Sequence, residues 1–234
     1  MGAFCYDFDI NNNKQTMRTI MRVLHHLEES RSFRILWALE ELGLNYEIKY
    51  YKRLPNLSAP PELKQVHPLG KAPVLTDQGL SIAESAVILQ HLQETYDSTH
   101  QFQPLNTASK QMYQYWMHYA EGSLMPLLVM QYVMSHVPKN APLFVRPVAK
   151  KIAQGVQKKF VGERLPDHIA YLEDYLAKHE YFADRFSFAD IQMSFPLEAI
   201  ESRTGQSYPN IKAYLERLKH RPAYFRAHAK EQIL

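Results

Sequence analysis

The sequence predicts an α+β protein, a small mixed domain of order β-α-β-α-β-β-α followed by an all-helical domain. Three observations predict it. After residue 20, β-rich runs alternate with segments of helical spacing over about eighty residues. Residues 97–109 are polar, contain Pro104 and read as a linker. Beyond them every apolar pattern is helical. The expected division is an extension at residues 1–19, a mixed domain at 20–98 and a helical domain at 107–234.

The first element, residues 20–27 (IMRVLHHL), reads as a mostly buried strand, and 28–32 as a polar turn. Ile35, Leu36, Leu39 and Leu42 fall at helical spacing, and Gly43 ends that helix. Residues 46–51 are β-rich and form the second strand. Pro60-Pro61-Glu62-Leu63 starts a short helix. A strand then follows Pro73, turns at Asp77-Gln78-Gly79 and returns at Ser81-Ile82. Residues 85–96 form the next helix. In the second half, helices are expected at 110–134, bent near Gly122 and Pro126, at 145–160 and at 166–178. Ser187-Phe188-Ala189-Asp190 has capping-box spacing and opens a helix at 191–200 containing Pro196. Tyr208-Pro209-Asn210 begins a final helix toward Leu218.

The 234 residues suffice for one or two domains with a real core. Apolar residues make up 46% and charged residues 22%, as in a soluble globular protein. The net charge of +3 comes from scattered basic residues, so no nucleic-acid stripe is expected. No apolar stretch approaches a membrane span, so no membrane partner is expected. Residues 1–15 are polar and lack a signal peptide's apolar core. The single cysteine, Cys5, permits no intrachain disulfide and no Cys-x-x-Cys motif, and the expected compartment is the cytoplasm. The eleven histidines show no metal-site spacing such as His-Glu-x-x-His.

One stretch points to a ligand. Gly70-Lys71-Ala72-Pro73-Val74-Leu75 places a proline where a strand should begin, at an edge where it need not donate to a ladder. Glu84-Ser85 follows eleven to twelve residues later and opens an apolar helical run. A carboxylate and a hydroxyl then sit at a helix N-terminus, where backbone N–H groups gather around anions. Together these elements could hold a small peptide with a carboxylate and an ammonium at one end.

These motifs, in this order, resemble the cytosolic glutathione transferase family over residues 21–227. The resemblance is carried by Ser30-Arg31-Ser32-Phe33-Arg34-Ile35-Leu36-Trp37, Leu42-Gly43-Leu44-Asn45-Tyr46-Glu47, His67-Pro68-Leu69-Gly70-Lys71-Ala72-Pro73, Glu84-Ser85 and the Ser187–Asp190 box. Within the family it is most similar to the serine-type enzymes of bacteria and fungi. Residues 25–32 hold no Tyr and no Cys, which sets the chain apart from the tyrosine- and cysteine-type branches. The resemblance implies a thioredoxin-like N-terminal domain that binds glutathione as co-substrate, without a metal. It implies a helical C-terminal domain lining the site of a hydrophobic electrophile, and a two-fold homodimer serving detoxification.

It also implies residue roles. Ser30, at the strand-to-helix turn, would donate its hydroxyl to the glutathione sulfur and stabilise the thiolate, with Ser32 as the substitute and Arg31 adding positive potential. From position alone, either serine could be a helix N-cap. Ala72 would pair through its backbone with the cysteinyl segment, and Pro73 would follow a cis peptide bond. Ser85 would take the γ-glutamyl carboxylate and Glu84 the ammonium; both would also serve as a plain helix cap. Lys71, and less so Arg53, would meet the glycine carboxylate. Met112, Trp116, Tyr119 and Ser123 share one helix face and are either acceptor pocket or core. The expected activity is conjugation of glutathione to an electrophile. The alternatives are a glutathione-dependent peroxidase acting on organic hydroperoxides and a non-catalytic glutathione-binding module.

Overall fold

The computed structural model describes residues 22–231. The expected extension at 1–19, the first residues of the first strand and Cys5 therefore lie outside the described residues. Strand β1 (Arg22–Leu27) and strand β2 (Tyr46–Tyr51) flank helix α1 (Ser32–Glu41). The second helical element is a single 3-10 turn, Pro61–Gln65. Strands β3 (Val74–Asp77) and β4 (Leu80–Ala83) follow, then helix α2 (Ser85–Tyr96). The sheet order is β2-β1-β3-β4. β1 pairs parallel with β2 and antiparallel with β3, which pairs antiparallel with β4. Gln78 (φ 49°) and Gly79 (φ 81°) give the β3–β4 turn the two positive φ values that match strand twist.

The helical half begins three residues earlier than the apolar pattern suggests. Asn106 caps α3 (Thr107–Tyr119) by accepting from the Ser109 N–H at 2.8 Å. The expected bend is a π-helical turn at Ala120–Leu124, after which α4 runs over Met125–Asn140. Then come α5 (Arg146–Val156), α6 (Leu165–Lys178), α7 (Phe188–Thr204) and α8 (Pro209–Lys219). A further helix, α9 (Pro222–Glu231), follows the one expected to be last. Among the described residues no helix is long and apolar enough to cross a membrane.

α1 is the hinge of the architecture. It packs on β1 and α2 inside the first domain, and on α7 and α9 of the second. Hence it is buried nearly all round, with Ile35, Leu36, Trp37, Ala38 and Leu39 at 0% exposure. α9 is held by packing and by charge: Tyr224 stands edge-on to Phe33 and Trp37, and Ala223 and Ala227 are buried. Arg226 and Lys230 donate to the Glu40 carboxylate at 2.8 and 2.5 Å, and Tyr50 donates to the Lys230 carbonyl at 2.7 Å. At the start of α7, Asp190 accepts from the Ser187 N–H and hydroxyl, the Phe182 N–H and the Tyr214 hydroxyl. Burial pushes its carboxyl up to about 6, and those donors limit the rise.

Candidate functional site

Two turns and two helix N-termini converge at one end of the sheet, where β1 and β4 end and β3 begins. The first is the β1–α1 turn carrying Ser30 and Arg31. The second is the segment before β3, where Ala72–Pro73 is a cis peptide bond. α2 then starts from Glu84, whose φ of 68° and ψ of 120° are strained for a side-chain-bearing residue. The Glu84 side chain does not cap α2, so the plain-cap reading of this residue fails.

These segments enclose a cavity of about 250 Å³, lined by Arg31, His67, Lys71, Ala72, Pro73, Glu84, Ser85 and Glu121 among others. Six sequence-predicted residues meet there: Arg31, Lys71, Ala72, Pro73, Glu84 and Ser85. Ser85 is buried, whereas Glu84 and Lys71 are exposed.

Ser30 does not line that cavity but adjoins Arg31, which does. It is 8% exposed, and its Oγ lies 2.7 Å from both the Leu27 carbonyl and Ser32 Oγ. The Ser32 N–H donates to Ser30 Oγ at 3.2 Å, which closes the turn before α1, whose N-cap position is Arg31 with no side-chain cap. Arg53 is elsewhere. It donates to the carbonyls of Glu28, Glu29 and Leu57, tying the loop after β2 to the β1–α1 turn, and it has no place in the cavity.

Glu121 escaped the sequence reading. From the π turn it accepts from Arg31 Nε at 2.9 Å and from Arg34 at 2.7 Å, joining the two domains at the cavity's rim. Arg34 is 0% exposed and also donates to the Gln192 carbonyl at 2.9 Å. Burial lowers its guanidinium to about 10 against the pull of Glu121. Burial alone would raise the Glu121 carboxyl, but Arg34 and Arg31 outweigh it and hold it below the ordinary value. A lone glutamate in a helix reads as a solvated charge, and its partners lie 87 and 90 residues away.

The four helix residues considered for an acceptor pocket are placed otherwise. Trp116 is fully buried, stacked on Tyr171 and in contact with Phe182. Tyr119 is 6% exposed, with its hydroxyl 2.5 Å from His168 Nδ1. Met112 packs against the core, and Ser123 is exposed. A second cavity, of about 440 Å³, opens one to four turns further along: Met125, Pro126, Val129, Met130, Val133 and Met134, with Arg31 and Glu121. It shares Arg31 and Glu121 with the first cavity. Polar cavity and apolar groove therefore adjoin. Among the described residues no group of three or more His, Cys, Asp and Glu could hold a metal ion.

Known proteins carry the same architecture. Residues 20–94 match the family model for the glutathione S-transferase N-terminal domain, and 140–224 that for a glutathione S-transferase C-terminal domain. Glutathione S-transferase 3 of Schizosaccharomyces pombe is 38% identical over 206 residues, covering 87% of this chain and 85% of the relative. The chain belongs to the glutathione S-transferase family. Glutathione S-transferase 1 of Saccharomyces cerevisiae is 33% identical over 223 residues, covering 90% of this chain and 95% of that one. The crystal structure of a glutathione S-transferase from Actinobacillus pleuropneumoniae superposes with a TM-score of 0.71 at 34% identity, covering 91% and 93% of the two chains. The fold is thus the thioredoxin-like domain plus helical domain of this family, and glutathione is its co-substrate.

Proposed function

We propose that the chain is a glutathione transferase that binds glutathione in the cavity at Ala72, Glu84 and Ser85. It ionises the thiol at Ser30 and adds the thiolate to a small hydrophobic electrophile seated along α4. The observation that carries this reading is the shared wall, since Arg31 and Glu121 line both the polar cavity and the apolar groove. Two substrates held side by side exchange a bimolecular encounter for an oriented one.

A glutathione thiol has a pKa of about 8.5, so little is thiolate at neutral pH. Ser30 can turn its proton from the Leu27 carbonyl to the sulfur, next to the N-terminus of α1. Arg31 adds cationic charge, held in place by Glu121. The Ala72 backbone pairs with the cysteinyl segment, as an added strand does. The N-terminus of α2 and Ser85 take the γ-glutamyl carboxylate, and Glu84 faces the ammonium. Lys71 meets the glycine carboxylate as a solvent-screened charge. The groove's three methionines and two valines suit soft, apolar acceptors of varied shape. The working form is a homodimer, and the compartment is the cytoplasm.

A panel of aryl halides, conjugated carbonyls and organic hydroperoxides, each with glutathione, tests the reading. Turnover of the first two classes supports conjugation. Turnover confined to hydroperoxides would make the chain a peroxidase using the same thiolate. A flat panel with glutathione binding intact would leave only a non-catalytic binding module.

A further inference from the structure

Behind Ser30 runs a line of polar atoms that binding of the tripeptide does not use. Ser30 Oγ is 2.7 Å from Ser32 Oγ, and Ser32 Oγ is 3.0 Å from His26 Nδ1. His26 Nε2 lies 3.5 Å from Glu231 Oε1 of α9 and, among the described residues, makes no hydrogen bond. His26 and Ser32 are both at 0% exposure. The ring of Tyr50, from β2, stands edge-on to His26 at 5.7 Å, but its hydroxyl is spent on the Lys230 carbonyl. Glu231 in turn lies 3.9 Å from His228 Nδ1. Glu231 is thus the carboxylate that faces the imidazole.

Each hydroxyl has one proton to give and two lone pairs to fill. Ser32 Oγ accepts from the Leu27 N–H at 3.2 Å, and Ser30 Oγ from the Ser32 N–H at 3.2 Å. Two proton arrangements complete the line. In the inward one, His26 keeps its proton on Nε2 toward Glu231, Ser32 donates to Nδ1, and Ser30 donates to Ser32, both hydroxyls having turned from the Leu27 carbonyl that each also reaches, at 3.1 and 2.7 Å. In the outward one, His26 carries a second proton on Nδ1 and donates to Ser32, Ser32 donates to Ser30, and the Ser30 proton is left for a bound sulfur.

We infer that Glu231, His26, Ser32 and Ser30 form a relay that draws the glutathione thiol proton inward and holds it on the buried imidazole. The inference rests on Ser30 as the thiol's partner. The S–H bond breaks as an O–H bond forms at Ser30 Oγ. Ser30's own proton passes to Ser32 Oγ, and Ser32's passes to His26 Nδ1. One thiolate and one imidazolium result, no proton enters solvent, and the Glu231 carboxylate faces the new cation. This is the logic of a nucleophile, a histidine and an orienting carboxylate, lengthened by one hydroxyl. His26 touches no substrate and is a positioning residue acting through the two serines. The relay also ties the far side of the domain to the site, because Glu231 is delivered by α9, which Glu40 and Tyr50 dock.

Two counts on the full chain test it, with glutathione as the probe. Ultraviolet difference absorbance counts thiolates formed on binding. Calorimetry in buffers of different ionisation enthalpy counts protons released. The wild type should release well under one proton per thiolate near neutral pH, and 15N spectra should show His26 gaining a proton as glutathione binds. Ser32→Ala keeps Ser30 but interrupts the line; it should restore one proton per thiolate and raise the thiolate's apparent pKa by about one unit, a tenfold loss of thiolate. Glu231→Gln, on a partly exposed helix, should move the pKa in the same direction by less, and it serves if Ser32→Ala does not fold. One proton per thiolate in the wild type, with His26 unchanged, overturns the relay alone. No thiolate band in the wild type overturns both the relay and the role of Ser30.

Discussion

Removing Glu121 should cost the protein stability and glutathione affinity together, and the two losses come from different partners. Arg34 is fully buried, and among the described residues Glu121 is its only carboxylate partner. Stranding a buried cation costs about 3–5 kcal/mol. The Arg31–Glu121 pair is 37% and 33% exposed, so solvent screens it to about 0–1 kcal/mol. Arg34 therefore dominates stability, and Arg31 dominates the site. At roughly 2–4 °C per kcal/mol for a chain of this size, Glu121→Ala should lower Tm by about 6–20 °C. Glu121→Gln keeps one acceptor oxygen and should lose roughly half as much. Arg31, no longer clamped, should raise the KM for glutathione more than it lowers kcat. The folded carboxyl sits below its ordinary value, so its contribution is complete above that value and is lost as acid takes the pH down through the lowered one. In Glu121→Gln that acid-dependent loss should shrink. Circular dichroism melts at several pH values, with glutathione kinetics, measure all of this. A Glu121→Ala melt within about 2 °C of wild type, with unchanged KM, would refute the reasoning.

Ser85→Ala should weaken glutathione binding about tenfold by calorimetry, and Glu84→Ala by less because that carboxylate is exposed. Unchanged affinity in both would remove the γ-glutamyl assignment. Val129→Asp, in the apolar groove, should raise the KM for hydrophobic electrophiles several-fold and leave that for glutathione unchanged, which steady-state kinetics with each substrate varied will separate. Burial would raise the Glu40 carboxyl, but donors from Lys230, Tyr46 and Arg226 hold it low. Its stabilisation should therefore be present above the ordinary glutamate value and lost in acid, and Glu40→Gln should flatten that limb in urea titrations at graded pH. Asp190→Asn turns a donor group toward N–H and O–H donors and should destabilise by about 1–3 kcal/mol, read by urea unfolding at pH 7.

Much of this was legible in the sequence where the signal is local. β2 and α2 lie at the expected residues, because alternation, the hairpin turn and Glu84-Ser85 are all short-range cues. The cis bond before Pro73 and the Ser187–Asp190 box follow the motifs that implied them. α9 was not legible. Only Ala223 and Ala227 of it are buried, with Tyr224 against Phe33 and Trp37 and with Arg226 and Lys230 on Glu40, so its apolar stripe is short and its partners are distant along the chain. Glu121 was hidden for the same reason, since its value lies in partners distant along the chain. Trp116 and Tyr119 take the core alternative of the two that the sequence left open. An aromatic face at helical spacing signals burial, and here it packs on Tyr171, His168 and Phe182 rather than opening to a ligand. The groove's aliphatic face begins where the π turn shifts the helix register after Leu124.

Ionisation of bound glutathione tests the central claim most directly. The thiolate absorbance of the complex, titrated against pH in the wild type and in Ser30→Ala, reports the thiol's apparent pKa. The account predicts a wild-type value well below that of free glutathione, raised in Ser30→Ala, with turnover at neutral pH falling in step and partly recovering in alkali while glutathione affinity changes little. A Ser30→Ala curve that overlays the wild type would contradict it, and would leave Arg31 and the backbone N–H groups of α1 to hold the anion.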